Sequence, residues 1–242
     1  MGRAGNYATA TPTHTIRMRA PPPHRARAPQ FKVLGQADFT ADSFTPIAQI
    51  NADPSAVHVA MNGELQTLGD IVARLKEDPV SLKISCGGTC SASWDIPFVS
   101  LLLAEGVDVS KLNLIPASGS AAGLQELAAG GVDIVLSSVP ETDAMTEAGL
   151  VKTVAVLAEE RLGKYPDVPT AEEKTGHDVS GGTWRGVAGP ADMDPALVEE
   201  IEAAVKEAFE SEAFQAGMSE RGFGAVWLNS EDFGAFLDKH VQ

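Results

Sequence analysis

Between Thr67 and Leu157 the chain repeats one unit: a short apolar run rich in β-formers, a turn of small residues, then a stretch with helical period. This alternation restricts the fold more than any other feature. Parallel strands cannot be joined by a tight turn and need a crossover, which is right-handed and most often a helix. Residues 67–78 are predicted as a helix, with Thr67 as N-cap, Asp70 three residues on, and Leu68, Ile71, Val72 and Leu75 along one face. Residues 82–86 read as a strand. A glycine-rich turn follows, then a helix running towards Leu103, with Pro97 in an early turn where proline is tolerated and Gly106 at its end. The unit recurs as strand 112–116, loop 117–120, helix 121–129, strand 132–138, helix 141–148 and strand 153–157, and residues 57–60 form one further short strand. Residues 54–159 therefore predict one complete α/β lobe on a largely parallel sheet.

Beyond residue 160 the pattern thins. Residues 183–188 read as a strand, and a long amphipathic helix opens at Pro195 with Leu197, Ile201, Val205 and Ala208 along it. Helix 212–221, strand 225–228 and a last helix after Asn229 complete the chain. Two or three strands with several helices make a poor independent sheet.

Charge divides the chain unevenly. Residues 1–30 contain five Arg and no acid, while residues 31–242 carry all 33 acids against 13 Lys and Arg, a balance of −20. Such a body repels a nucleic-acid backbone, so no nucleic-acid partner is expected. The basic leader holds five of the fifteen prolines and almost no large apolar side chains, which predicts disorder for residues 1–30. It lacks the apolar core and small-residue cleavage site of a secretory signal. No apolar run approaches the ~20 residues of a membrane-spanning helix.

In an open parallel α/β sheet, ligands bind outside the carboxyl ends of the strands, where loops lead into helix N-termini. Three such junctions combine small residues, hydroxyls and helix-start amides: Cys86 to Ser91 with Gly87, Gly88 and Thr89; Ala117 to Ala122 with Ser118, Gly119, Ser120 and Ala121; and Ser137 with Ser138. That is the local chemistry of an anion site, since a helix N-terminus presents unpaired N–H groups and a positive dipole end. The same residues equally serve as tight turns and caps.

Other chemistries find less support. Cys86 and Cys90 lie four apart with no histidine nearby, and His14, His24, His58, His177 and His240 form no i, i+4 pair, so neither a zinc site nor any other metal or cofactor is expected. A thiol-dependent enzyme remains as the alternative, with Cys86 or Cys90 as nucleophile at a helix start and His58 or His177 as base. Spacing alone leaves a disulfide between the two cysteines open. Trp184 is either core packing or the wall of a cleft, and Arg185 meets either an anionic solute or a surface acid.

A series of segments carries a family likeness over residues 37–240. These are DFTADSFTPIAQI, GGTCSASWDIPF, LAAGGVDIVLSSVPE, AGLVKTVAVLAEERLGKYPDVPTAEEKTG and GTWRGVAGP, in that order. The series resembles the solute-binding proteins of tripartite tricarboxylate transporters. The resemblance implies an α/β, periplasmic-binding-protein-like (type II) fold of two lobes with mostly parallel sheets, closing over a small carboxylate that is delivered to a membrane permease. It implies no enzymatic activity, a periplasmic location and a monomer. Carried onto this chain, it places ligand contacts at Gly87, Gly88, Thr89, Ser91, Ser118, Gly119, Ser120, Ala121 and Ser138 on one lobe, and at Trp184 and Arg185 on the other. It also implies that residues 31–53 and 160–242 are a partial first lobe, the family's opening segment being replaced by residues 1–30. A truncated fragment without activity is the corresponding alternative.

Overall fold

The computed structural model describes residues 43–241. The basic leader with His14 and His24 lies outside the described residues, as does the side chain of His240.

The organising element is a strand that sequence reasoning underestimated. Residues 57–60 are the last four of β1, Phe44–Ala60, 17 residues long. β1 changes partners along its length: from Phe44 to Pro54 it pairs with β6 (Gly182–Pro190), and from Ser55 to Ala60 with β5 (Val151–Leu157). The switch falls at Pro54, which has no N–H to give to a ladder. Gly182 opposes it, and a Cβ there would stand 2.2 Å from the Asp53 carbonyl oxygen, so the two backbones approach as only glycine allows. Gly181 stitches the junction: it accepts from Ser55 N–H at 2.8 Å and donates to the Leu157 carbonyl at 3.1 Å.

The remaining strands join on either side into a seven-stranded sheet. β2 (Lys83–Ser85) lies between β3 (Asn113–Ile115) and β4 (Ile134–Ser137), parallel to both, and β4 pairs antiparallel with β1. β4 and β5 flank β1 and both oppose it, so β2, β3, β4 and β5 run one way and β1 runs against them. The sheet is thus mixed where the repeat predicted a largely parallel one. The repeat reports only the crossovers, and β1 enters from outside it. The other half of β1 pairs antiparallel with β6 and with β7 (Ala225–Leu228).

The helices follow the expected pattern closely. α1 (Leu68–Glu77) begins at Thr67, whose hydroxyl accepts from Asp70 N–H while the Asp70 carboxylate accepts from Thr67 N–H, and it buries Leu68, Ile71, Val72 and Leu75. α2 (Asp95–Ala104) adds Phe98, Leu101 and Leu102, and these side chains meet Val57, Ile84, Leu136 and Leu157 of the sheet. α3 (Ser120–Ala128) covers the opposite face, where Leu124 and Leu127 pack on Val135 and Val151. The two clusters divide β4 by strand alternation, with Ile134 and Leu136 in one and Val135 in the other. Each fully buried aliphatic side chain contributes about 1.5–3 kcal/mol. The helix predicted at 141–148 splits into a 3-10 turn, Val139–Thr142, and a short α4, Asp143–Glu147. The short α5, Ala171–Thr175, is capped by Thr170.

The second half of β1 is covered on both faces, the first half less completely. α6 (Pro195–Glu210) buries only Val198, α7 (Glu212–Glu220) buries none of its residues, and Ala208, expected on the apolar side of α6, is exposed. α8 (Ser230–Val241) supplies the buried Phe233. Three strands give these helices too little sheet to cover, as the thinning pattern implied.

Candidate functional site

β2, β3 and β4 end side by side, so the loops that follow them meet at one sheet edge. The first runs from Cys86 to Trp94. Gly87 takes φ +63°, and a Cβ on it would stand 1.9 Å from the Leu136 carbonyl oxygen, so this loop lies directly on the backbone of β4. Cys86 and Cys90 are joined by a disulfide with Cα atoms 5.2 Å apart, which holds Gly87, Gly88 and Thr89 in a small ring. The loop after β3 docks on that ring: Ala117 N–H donates to the Gly88 carbonyl at 2.9 Å, and the Ser120 hydroxyl donates to the Gly87 carbonyl at 3.4 Å. β1 reaches the same place through Ser55, whose hydroxyl donates to the Trp94 carbonyl at 2.6 Å.

The helix starts at this edge differ in what they leave free. At α2, Asp95 is almost fully buried and its carboxylate accepts from Ser91 N–H at 2.7 Å and Ala92 N–H at 2.8 Å. The chain's own acid therefore occupies the position in which Ser91 was expected to offer an amide. At the turn after β4, Glu141 accepts from both the N–H and the hydroxyl of Ser138, each at 3.0 Å, so Ser138 is a cap and not an open donor. The sequence carried that signal, since Ser138-Val139-Pro140-Glu141 has the S-x-x-E spacing of a capping box. α3 is the exception: Gly119 caps it without a side chain, and among the described residues the N–H groups of Ser120, Ala121 and Ala122 have no partner in the chain. Ser118 and Ala121 are exposed beside them.

The residues expected from the other lobe do not converge here. Trp184 packs edge-on between Phe233 at 5.4 Å and Phe236 at 5.7 Å, between ring centroids, beneath α8. Strand alternation turns Arg185 to the opposite face. Its Nη1 donates to Asn51 Oδ1 and, at 3.0 Å, to Asp53 Oδ2, and its guanidinium lies 5.7 Å from the Phe223 ring centroid. Trp184 is thus half-buried against the rings of α8, and the exposed Arg185 pairs with an acid of its own chain.

The thiol-enzyme reading also fails on geometry. Both sulfurs are in the disulfide, and His58 is fully buried between Thr153 Oγ1, 2.9 Å from its Nδ1, and the Ser137 carbonyl, 3.3 Å from its Nε2. Burial pushes the His58 pKa down to about 4, against a smaller upward pull from that carbonyl, so the ring is neutral at physiological pH. His177 pairs with Glu105 at 3.5 Å on the surface. Among the described residues no group of three or more His, Cys, Asp or Glu is placed to hold a metal, and no helix is long and apolar enough to cross a membrane.

One cavity of about 360 Å³ adjoins the end of β4 through Ser138. Asp53, Pro140, Lys164, Tyr165, Phe223 and Gly224 contribute to its walls. Sequence reasoning did not select these residues, because they come from four separate segments and share no motif. Lys164 Nζ and the Tyr165 hydroxyl both meet the Asp143 carboxylate, at 3.2 Å and 2.9 Å, and that bond holds the lysine pKa above its ordinary value.

The sequence profile of the tripartite tricarboxylate transporter family receptors (TctC) matches residues 3–242, nearly the whole chain. The chain belongs to this receptor family. A UPF0065 protein of Bordetella pertussis is 25% identical over 209 residues, which are 84% of this chain and 62% of that protein. This TctC-family chain thus spans about three fifths of that curated relative. Among solved structures, a TctC solute binding protein from Polaromonas superimposes with a TM-score of 0.75 at 28% identity, covering 87% of this chain and 71% of the other. R. palustris Rpa4515, solved with adipate, gives a TM-score of 0.69 at 20% identity over 85% of this chain and 67% of that one, a likeness of fold alone. The TctC-family fold is accordingly the periplasmic-binding-protein-like α/β fold expected from the resemblance.

Proposed function

We propose that this chain is an extracytoplasmic solute-binding protein that captures a small carboxylate for a tripartite tricarboxylate transporter. It works in the periplasm and hands the ligand to the membrane permease of that system. The observation that carries this reading is the cluster of unpartnered amides of Ser120, Ala121 and Ala122 at the start of α3, beside the disulfide-held loop. An anion at a helix N-terminus gains about 0.3–1 kcal/mol from the dipole at an exposed site, and each charge-assisted hydrogen bond contributes about 1.5–3 kcal/mol. The carboxylate contacts are Gly87, Gly88, Thr89, Ser118, Gly119, Ser120 and Ala121. Family membership and the adipate held by Rpa4515 support a di- or tricarboxylate as ligand.

Residues 54–159 are assigned to one lobe, and residues 31–53 with 160–242 to part of the other. The change of partners in β1 at Pro54 supports this division.

Calorimetric and thermal-shift titration with citrate, malate, adipate, succinate and glutamate tests the function. Saturable binding of at least one acid is expected, with about 2.7 kcal/mol of added stability at a hundredfold excess over Kd. No response to any of the five acids overturns the proposal.

A further inference from the structure

We infer that the Cys86–Cys90 disulfide is a redox switch on the carboxylate loop. A dithiol that opens it frees residues 87–90 and weakens anion binding, while the sheet and its helices stay folded. For its ligand this rests on the carboxylate reading above; for the loop motion it does not.

The cross-link lies between two firm anchors, and it closes the ring on which the loop after β3 docks. On one side, Cys86 N–H donates to the Ile115 carbonyl at 3.0 Å, at the end of the β2–β3 ladder. On the other, the buried Asp95 carboxylate grips Ser91 and Ala92 N–H. Between them lie Gly87, Gly88 and Thr89, and glycines have the most conformational freedom to regain once a ring opens. The position of this ring sets the position of the site. The Gly88 carbonyl holds Ala117 N–H, and the Gly87 carbonyl holds the Ser120 hydroxyl, so the segment carrying the unpartnered amides is docked on the ring itself. A preorganised loop binds more tightly than one that must be ordered by its ligand.

The core does not depend on the cross-link. Ile84, Phe98, Leu101 and Leu136 pack in one cluster on either side of the loop, and β2 is paired along both edges.

The two sulfurs also differ in access. Cys86 is completely buried, whereas Cys90 is only partly buried, between the exposed Thr89 and Ser91. A thiolate of an incoming dithiol attacks Cys90 Sγ, the S–S bond breaks, and the electron pair leaves on Cys86 Sγ, which takes up a proton. The second thiol of the dithiol then attacks the mixed disulfide and releases Cys90 as a thiol. The dithiol is oxidised by two electrons to its own disulfide, and the two cysteines are reduced by two.

The test compares oxidised protein, dithiothreitol-reduced protein and the C86S/C90S variant. Each is titrated with citrate, malate and adipate and followed by amide hydrogen exchange. Reduction is expected to weaken carboxylate binding by roughly tenfold or more. It is also expected to speed exchange of amides 87–90 and of the Ala117 amide, which is bonded to the Gly88 carbonyl, by a similar factor, with β2, β4 and β5 unchanged and the double variant behaving like the reduced protein. Equal affinity in the oxidised and reduced forms overturns the switch, and so does equal exchange of the loop amides. Exchange that accelerates throughout the core strands overturns it too, because the cross-link would then be holding the fold. If the oxidised protein binds none of the acids but the loop amides still respond to reduction, the carboxylate reading fails and the loop switch stands.

Discussion

Trp184 meets Phe233 edge-to-face, with ring centroids 5.4 Å apart and planes at 77°. A third ring, Phe236, closes on the tryptophan from 5.7 Å. Edge-to-face pairs of this kind contribute about 0.5–1.5 kcal/mol beyond the area they bury. Trp184→Ala is therefore expected to destabilise the protein by roughly 2 kcal/mol, less than for a fully buried tryptophan. Calorimetry should show a fall in Tm of about 4–8 °C. Carboxylate affinity should stay within about twofold; a selective loss of affinity at unchanged Tm would restore Trp184 to the binding cleft.

Ser120 separates backbone from side chain at the proposed site. Its N–H makes no bond within the chain and it stands at the first position of α3, where proline is tolerated. Ser120→Pro is expected to change stability by less than about 1 kcal/mol and to weaken carboxylate binding about tenfold or more through loss of one charge-assisted hydrogen bond. Ser120→Ala keeps the amide and should lose less. Wild-type affinity in Ser120→Pro would remove this helix start from the site.

His58 predicts an acid-side loss of stability. Its pKa is depressed to about 4 in the fold, so between that value and an unfolded pKa near 6.5 the unfolded chain binds more protons. Stability contributed by the neutral ring is complete above about pH 6.5 and is lost as pH falls towards 4, amounting to roughly 3 kcal/mol. Urea titrations across that range should show the slope, His58→Gln should remove it, and an NMR titration should place the ring near 4. A midpoint near 6 would contradict the buried, neutral assignment.

Gly87→Ala should be among the most damaging single-methyl additions in the chain. It combines a positive φ of +63° with a Cβ 1.9 Å from the Leu136 carbonyl oxygen. A loss of about 3 kcal/mol or more in urea unfolding is expected, with the loop displaced from β4. A change below about 1 kcal/mol would mean that the loop does not rest on that strand.

Local patterns in the sequence were enough for several elements. The Thr67–Asp70 capping box, the apolar face of α1, the helix start at Pro195 and the strand at 225–228 are all written in residues a few positions apart, and each was legible without a fold. The meeting of the loops after β2, β3 and β4 at one edge followed as well, because a repeated right-handed crossover leaves parallel strands ending together.

Tertiary structure decided what those local patterns could not. Whether an amide at a helix start is free depends on which acid reaches it, and only the folded chain puts Asp95 on Ser91 and Glu141 on Ser138 while leaving Ser120, Ala121 and Ala122 open. Trp184 and Arg185 are neighbours in sequence, yet a strand turns them to opposite faces, one towards Phe233 and the other towards Asp53. β1 is the largest such case. Its 17 residues read locally as one short strand because its partners lie about eighty or more residues away, and strand pairing is a long-range contact that no local pattern encodes. The sequence by itself determined the repeated strand-and-helix units, their order and the family. The closing of the Cys86–Cys90 ring and the choice of which helix start stays open were settled by three-dimensional packing, where burial and hydrogen-bond partners first exist.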